Sequence, residues 1–188
     1  MYKRARLIDT VEVPPERLGD VTHELVKELL QDKLEGRMDE KVGSVVSVVD
    51  VHDIGQGAVL PNRPGVYYEA EFDAITFDPQ MQEVVDGTVV EVVEFGAFVG
   101  IGPIDGLLHV SQISDEYLSY DGENGQLTSR ETNKILAQDD AVRSRIVTKS
   151  IDERNPRESK IGLTAKQPGL GKHGWLREAR EEEQEATD

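Results

Sequence analysis

The stretch GTVVEVVEFGAFVGIGPIDGLLHVSQIS, residues 87–114, decides the fold of this chain of 188 residues. It opens on a valine-rich run whose β-branched composition is typical of a strand half buried in a core. Gly96 permits a sharp bend because it has no Cβ to clash. We expect the bend to bring Phe95 and Phe98 together near a strand turn, with His109 on the following apolar run. Two aromatic rings and a histidine beside glycines can form a flat surface on which unpaired bases stack.

The same stretch resembles the RNA-binding OB-fold repeat first described in ribosomal protein S-one. That repeat has the order G-x-V, then F-G-A-F-V, then G-L-x-H-x-S, and every position is filled here. The residues that fill it are Gly87, Val89, Phe95, Gly96, Ala97, Phe98, Val99, Gly106, Leu107, His109 and Ser111. Two structural alternatives stand beside a role in binding. Phe98 is a candidate for core packing only, and His109 is a candidate cap for the turn that follows it.

Composition restricts the class of protein. No apolar run reaches the length of a membrane span, and the N-terminus lacks a charged-then-apolar signal pattern. Cysteine is absent, which excludes disulfides and thiolate zinc sites. We therefore expect a soluble cytoplasmic protein with no metal and no cofactor.

The charge is unusual for a protein that binds RNA. The chain has 21 basic and 37 acidic residues and a net charge of −16, whereas contact with RNA ordinarily calls for a basic stripe. Both halves are acidic, with 9 basic against 16 acidic residues in 1–82 and 12 against 21 in 83–188. Diffuse acidity suggests adaptation to concentrated salt, where the Debye length falls to about 3 Å at 1 M. A halophilic archaeon is the hypothesis for the source, and an ordinary acidic protein is the alternative.

Residues 1–80 predict an α+β domain with the order β-α-β-β-β, comparable to an RNP-like unit. The helix is expected to begin at Asp20 as N-cap and to stop at Gly36. The predicted strands are Tyr2–Val13, Val42–Val51, Ala58–Leu60 and Val66–Phe77. The glycine-containing loop Asp53–Gly57 lacks the Lys-Ser/Thr pair of a phosphate-binding loop. It is either a β-turn or a loop that contacts a partner.

Residues 81–170 predict an all-β OB-fold barrel of the S-one type. Residues 115–138 are expected to be an insertion with a hairpin, and strands four and five are expected at 142–151 and 159–165. An OB-fold binds its ligand on the face of strands two and three with the loops one-two and four-five. Residues 171–188 predict a short helix, with Trp175 as an apolar contact, and an acidic tail.

A β-α-β unit followed by this barrel resembles the larger stalk subunits of archaeal RNA polymerase, counterparts of the seventh subunit of eukaryotic RNA polymerase II. Matching motifs extend along nearly the whole chain: Met1–Lys3, Val13–Glu16, Glu35–Arg37, Val49–Val51, Asp53–Gly55, Val92–Gly96, Asp105–Leu107, His109–Ile113, Ser119–Asp121 and Gln167–Pro168. The resemblance implies a non-catalytic subunit that forms a heterodimeric stalk with a smaller helical subunit. Its tip domain would dock on the polymerase core and support initiation (the open complex), and its OB domain would bind emerging single-stranded RNA.

The resemblance also implies roles for particular residues. The RNA-binding set is Phe95, Phe98, His109 and Asp152, together with a basic residue of loop four-five for which Arg154, Arg157 and Lys160 are all candidates. The core-docking set is Gly36, Asp53, Ile54, Gly55, Gln56 and Gly57. Base stacking tolerates any sequence, and it is uncharged. We therefore expect Phe98→Ala to weaken RNA binding more than Arg157→Ala does at high salt.

An enzymatic function has little support in the sequence. A nuclease needs carboxylates grouped around a metal ion, whereas the adjacent Asp152 and Glu153 would point apart on a strand. The alternative function is a translation-initiation or RNA-decay (exosome) factor with the same OB repeat. Translation factors of this kind usually carry the repeat at the N-terminus, whereas it is C-terminal here.

Overall fold

The computed structural model describes residues 1–132, 134–152 and 160–185, apart from the side chain of residue 183. The strands are β1 Tyr2–Val13, β2 Met38–Asp39, β3 Gly43–Ile54, β4 Ala58–Val59, β5 Val66–Phe77, β6 Val84–Val93, β7 Gly96–Gly100, β8 Asp105–His109, β9 Leu118–Asp121, β10 Gln126–Ser129, β11 Ile135–Leu136, β12 Ala141–Ser150, β13 Lys160–Thr164 and β14 Gly171–Lys172. The helices are α1 His23–Leu34 and α2 His173–Glu185. Neither helix is long and apolar enough to span a membrane.

The first compact unit, Met1–Asp78 together with residues 151 and 152, is built on an antiparallel sheet with one helix. The sheet order is β1-β5-β3-β2, and the short β4 also pairs with β5. Alternate residues of β1 and β5 face α1, since successive side chains of a strand point to opposite faces. The core between helix and sheet contains Val11, Val26, Leu30, Val48, Ala70, Phe72 and Ala74. The predicted α+β order is confirmed, with the two-residue β2 in addition.

Two predicted boundaries in this unit are wrong. The N-cap of α1 is Thr22, whose hydroxyl accepts a hydrogen bond from the backbone N–H of Leu25 at 3.2 Å, and not Asp20. Strand β3 ends at Ile54 and not at Val51, because pairing with β5 continues through three register shifts. Gly36 follows the helix at φ +78°, the left-handed conformation that favours glycine after a helix.

The second unit begins at Pro79 and contains a closed five-stranded barrel. The order is β13-β8-β7-β6-β12, and pairing of β12 with β13 closes it. Strand β13 is parallel to β8, while the other pairs around the barrel are antiparallel. The interior contains Val89, Ala97, Val99, Leu108, Val142, Ile146, Ile161 and Leu163. The predicted OB-fold is confirmed.

The segment between strands three and four of the barrel forms a small sheet. Strands β9 and β10 pair as an antiparallel hairpin, and β11 adds to β10. Glu116, just before β9, accepts hydrogen bonds from Ser129 and Thr132 and an ion pair from Lys134 at 2.9 Å. The hydrogen bond from Thr132, followed by that from Lys134, lowers the pKa of Glu116 to about 2. This carboxylate is therefore ionised at neutral pH and links the segment before β9 to the segment that follows β10.

Candidate nucleic-acid interface

The outer face of the barrel is organised by strand register. Phe98 of β7 pairs with Leu107 of β8, and Leu107 pairs with Gly162 of β13. On the other side, Phe98 pairs with Glu91 of β6. Because directly paired residues share a face, these residues form one outward row across four strands. Their inward neighbours are buried in the barrel and hold the row in place.

The two phenylalanines form the aromatic part of this face. Phe95 is 50% exposed, and Phe98 is half-buried on the outer side of β7. Their ring centroids are 6.3 Å apart and the ring planes meet at 87°, an edge-to-face contact. Phe98 therefore lies outside the barrel interior, and core packing alone does not account for it.

Gly96 makes this arrangement possible through close approach of two strands. A Cβ on Gly96 would overlap the backbone carbonyl oxygen of Leu108, and the residue has φ +156°. Any larger side chain would therefore push β7 away from β8. The close approach continues beyond the strand, where the N–H of Val110 donates to the carbonyl of Phe95 at 2.9 Å.

His109 lies beside this pair because it is the register partner of Gly96. Its Nδ1 accepts a hydrogen bond from the N–H of Ser111 at 3.2 Å and caps the 3-10 turn Val110–Gln112. The capping alternative is thus confirmed. The side chain is exposed, and the acceptor role of Nδ1 leaves the proton of a neutral ring on Nε2. A contact with RNA stays a prediction for this residue.

The remaining predicted RNA-binding residues belong to loop four-five. Lys160 is exposed at the start of β13 and pairs with Ser150 at the end of β12. Asp152 lies two residues beyond the end of β12 and is half-buried. Arg154 and Arg157 lie outside the described residues.

Exposed carboxylates flank the aromatic pair in sequence and in strand register, which the sequence motif did not indicate. Glu91 pairs with Phe98, Glu94 precedes Phe95, and all three of Glu91, Glu94 and Asp105 are exposed. Lys160 is the one permanent cation among the predicted RNA-binding residues that the structure describes. Alternation counted from the buried Val89 would put Glu91 on the inner face. The register shift between Val89 and Glu91 turns Glu91 outward and pairs it with Phe98.

The predicted core-docking residues do not form one patch. The N–H of Gly36 donates to the carbonyl of Val45 at 2.9 Å, near the start of β3. The loop 53–57 lies at the other end of the same strand, so about 26 Å of strand separates the two. Asp53 and Ile54 are also not loop residues: they pair with Glu71 and Ala70 inside the sheet.

Comparison with known proteins identifies the family. A model of the SHS2 domain found in the N terminus of Rpb7p/Rpc25p/MJ0397 matches residues 8–64, and a model of the S1 RNA binding domain matches residues 78–159. The DNA-directed RNA polymerase subunit Rpo7 of Saccharolobus shibatae is 35% identical over 182 residues, which is 96% of this chain and 99% of that protein. The chain belongs to the Rpo7 family. The corresponding Rpo7 subunit of Saccharolobus solfataricus is 35% identical over 94% of this chain and 97% of that protein.

The family expected from the sequence is therefore confirmed, while a halophilic source stays a prediction. The Rpo7-family chain is also 29% identical to a polyribonucleotide nucleotidyltransferase of Bradyrhizobium sp., over 92% of this chain but 22% of that protein. Within the described residues of the Rpo7-family chain, no three His, Cys, Asp or Glu side chains converge as a metal ion would require. The described side chains of the aromatic face offer stacking, hydrogen bonding and one cation.

Proposed function

We propose that this chain is a non-catalytic stalk subunit of a DNA-directed RNA polymerase, and that it binds emerging single-stranded RNA on the outer face of its barrel. It pairs with a smaller helical subunit and supports initiation at the open complex. Two relatives named as Rpo7 subunits match over nearly the full length of both chains, which supports the polymerase assignment. The observation that carries the RNA-binding role is the pair of the exposed Phe95 and the half-buried Phe98 at strand two of an S1-type barrel.

The mechanism is binding by stacking. An unpaired base lies on the ring of Phe95 or Phe98, and each such contact contributes about 1–3 kcal/mol regardless of base identity. The carboxylates of Glu91 and Asp105 repel phosphate, so the RNA backbone is held away from the rings while the bases turn toward them. Stacking is uncharged and persists in concentrated salt, where a surface of net charge −16 repels RNA least.

Docking on the polymerase core belongs to the first unit in this proposal. Gly36 and the loop 53–57 lie at opposite ends of β3, so the core contacts one end of the unit or uses two separate contacts. Gly57 supports the loop end as an ordered surface, because a Cβ there would meet the ring of Tyr68 at 2.8 Å. A loop packed this closely presents a fixed shape to a partner.

An RNA-decay function is the second candidate. Its support is the similarity to the polyribonucleotide nucleotidyltransferase, but the chain spans only about a fifth of that protein. An S1-type barrel is compatible with both the polymerase function and the RNA-decay function, so the barrel does not decide between them. The first unit favours the polymerase, since residues 8–64 match the SHS2 domain found in the N terminus of Rpb7p/Rpc25p/MJ0397 and the two Rpo7 relatives match over nearly their full length.

The assignment is tested by affinity purification of the tagged chain from its own cells, at native salt and after ribonuclease treatment. Mass spectrometry is expected to find the large polymerase subunits and one small helical protein. Phe98→Ala is the matched control, since an RNA contact is not needed for assembly and the variant should recover the same proteins. Recovery of ribosomal or exosome proteins in their place would contradict the polymerase assignment and leave the barrel fold unaffected.

A further inference from the structure

A basic groove of about 310 Å³ lies between α2 and the outer surface of β12. It is lined by Ala141, Arg143, His173, Leu176, Arg177 and Arg180. Three arginines and a histidine therefore share one groove in a chain whose net charge is −16. The groove locally reverses the sign of the overall charge.

The basic residues of helix α2 cluster on one side of the helix. His173, Arg177 and Arg180 recur at four and three residues, so they share one side of the helix, and this side lines the groove. Four of the five acidic residues of the helix, Glu178, Glu181, Glu182 and Glu185, are centred about a third of a turn away, with Glu181 one turn after Arg177. A helix that only covered the barrel would place apolar residues along the side it packs with. Here that stripe is basic, with Leu176 as its apolar member.

Asp86 of β6 holds two of the four basic side chains. Its carboxylate accepts hydrogen bonds from Nε and Nη2 of Arg143 at 2.9 and 3.2 Å, and lies 2.9 Å from Nε2 of His173. The hydrogen bond from Arg143 lowers the pKa of Asp86, so the carboxylate stays ionised and fixes both groups. Arg177 and Arg180 are exposed and make no ion pair with any described side chain. No described carboxylate therefore neutralises either guanidinium group.

Strand β6 connects the groove to the aromatic face. Asp86 pairs with Arg143, and Glu91, five residues further along β6, pairs with Phe98. At about 3.3 Å per residue, the two positions are roughly 16 Å apart along the strand. An OB-fold engages about 4–16 nucleotides of single strand, so one strand can reach both.

We infer that this groove, chiefly through Arg177 and Arg180, binds the phosphate groups of the RNA strand whose bases stack on Phe95 and Phe98. The inference rests on the proposed function and divides it between two places. The aromatic face, surrounded by carboxylates, takes bases. The groove, which gathers guanidinium groups, takes backbone phosphates, for which arginine is well suited.

The test measures affinity of the full chain for a fluorescein-labelled oligouridine of about 16 nucleotides, between about 0.3 and 3 M KCl. Each phosphate contact to single-stranded nucleic acid contributes about 0.7 to the slope of log K against log salt. The Arg177→Gln/Arg180→Gln variant should therefore reduce the slope by about 1.4. Its loss of RNA affinity relative to wild type should then shrink about 25-fold as the salt concentration rises tenfold. Arg177→Lys/Arg180→Lys should retain the slope.

The matched control is Arg37→Gln/Lys41→Gln, which removes the same charge from exposed side chains of the first unit and should leave the slope unchanged. A slope unchanged in Arg177→Gln/Arg180→Gln, with Phe98→Ala still weakened, would overturn the groove and leave the stacking function standing. A changed slope with Phe98→Ala unaffected would support the groove and overturn stacking. Failure of the wild-type chain to bind the oligouridine would overturn the phosphate assignment. Displacement of the RNA from the groove by polyglutamate, added at an equal concentration of charge, would overturn it as well.

Discussion

Side chains have opposite environments on two surfaces of the molecule. One is the outer face of the first unit's sheet, and the other is the outer face of the barrel. On the first, Asp73 is buried under Arg4, Arg6 and His52, with contacts of 2.7, 3.1 and 3.0 Å to its carboxylate. On the barrel, Phe95 is left half exposed, in edge-to-face contact with Phe98.

The two faces therefore differ in the chemical groups that remain available to a ligand. Hydrogen bonds from His52 and then Arg6 hold the pKa of Asp73 well below its ordinary value, so the carboxylate is ionised and fully used inside the unit. An ionic network that is satisfied internally stabilises a sheet but presents few unpaired groups. Aromatic rings exposed on a strand have faces on which an unpaired base can stack.

The largest expected effect is on the barrel face. Phe95→Ala/Phe98→Ala should lower the affinity for single-stranded RNA about 100-fold, since each stacked base contributes about 1–3 kcal/mol. Fluorescence anisotropy with labelled oligouridine measures the affinity. The loss of affinity should persist at molar KCl because stacking is uncharged. Asp73→Asn, on the other face, is the control and should bind as wild type does. Equal losses in the two variants would remove the distinction between the faces.

A second prediction tests how the aromatic face is built. Gly96→Ala should destabilise the barrel by about 2 kcal/mol, because the new Cβ meets the fixed backbone carbonyl of Leu108. Gly162→Ala is the matched control: its Cβ meets only the hydroxyl of the exposed Thr148, which can rotate away. Chemical denaturation should therefore show a clearly larger loss for Gly96→Ala. The reverse order would contradict the close-approach explanation.

The ionic face should respond to acid. A carboxylate with a lowered folded pKa stabilises the protein above its unfolded pKa, about 3.9 for aspartate, and this stabilisation is lost as the pH falls through the folded value. Asp73→Asn should lower the Tm by several degrees at neutral pH and flatten its fall below about pH 4. The pKa of Glu116 in the second unit is also lowered, so this carboxylate likewise stabilises the protein at neutral pH and not in acid. The Glu116→Gln variant therefore serves as the reference for the size of the acid response. An Asp73→Asn curve parallel to wild type would show that the network does not stabilise the sheet.

The smallest expected effect separates the two roles of His109. His109→Asn keeps a side-chain acceptor for the N–H of Ser111 and removes the ring, whereas His109→Ala removes both. Loss of a cap costs about 1 kcal/mol, so His109→Ala should be less stable than His109→Asn by that amount in denaturant unfolding. If the ring also stacks, both variants should lose RNA affinity equally. Wild-type affinity in His109→Asn would make the residue a cap only.

Much of the fold followed from local patterns. The alternation in Val66–Phe77 predicted a strand with one buried face, and Ala70, Phe72 and Ala74 are buried there. The ordered glycines and aromatics of residues 87–111 predicted the barrel, because a close approach such as that at Gly96 admits no other residue. Boundaries were less accurate: Thr22 and not Asp20 caps α1, since either residue type can fill an N-cap and the packing of the helix chooses between them.

The sequence by itself determined the two-part fold, the aromatic pair and the family, since each depends on residues close together in the chain. Only the tertiary structure placed Glu91 beside Phe98 and separated Gly36 from the loop 53–57 along β3. It also joined Asp86 to Arg143 and His173, partners 57 and 87 residues away. Contacts over such distances depend on strand register and helix docking, which are set by the packing of the whole core and not by any local spacing.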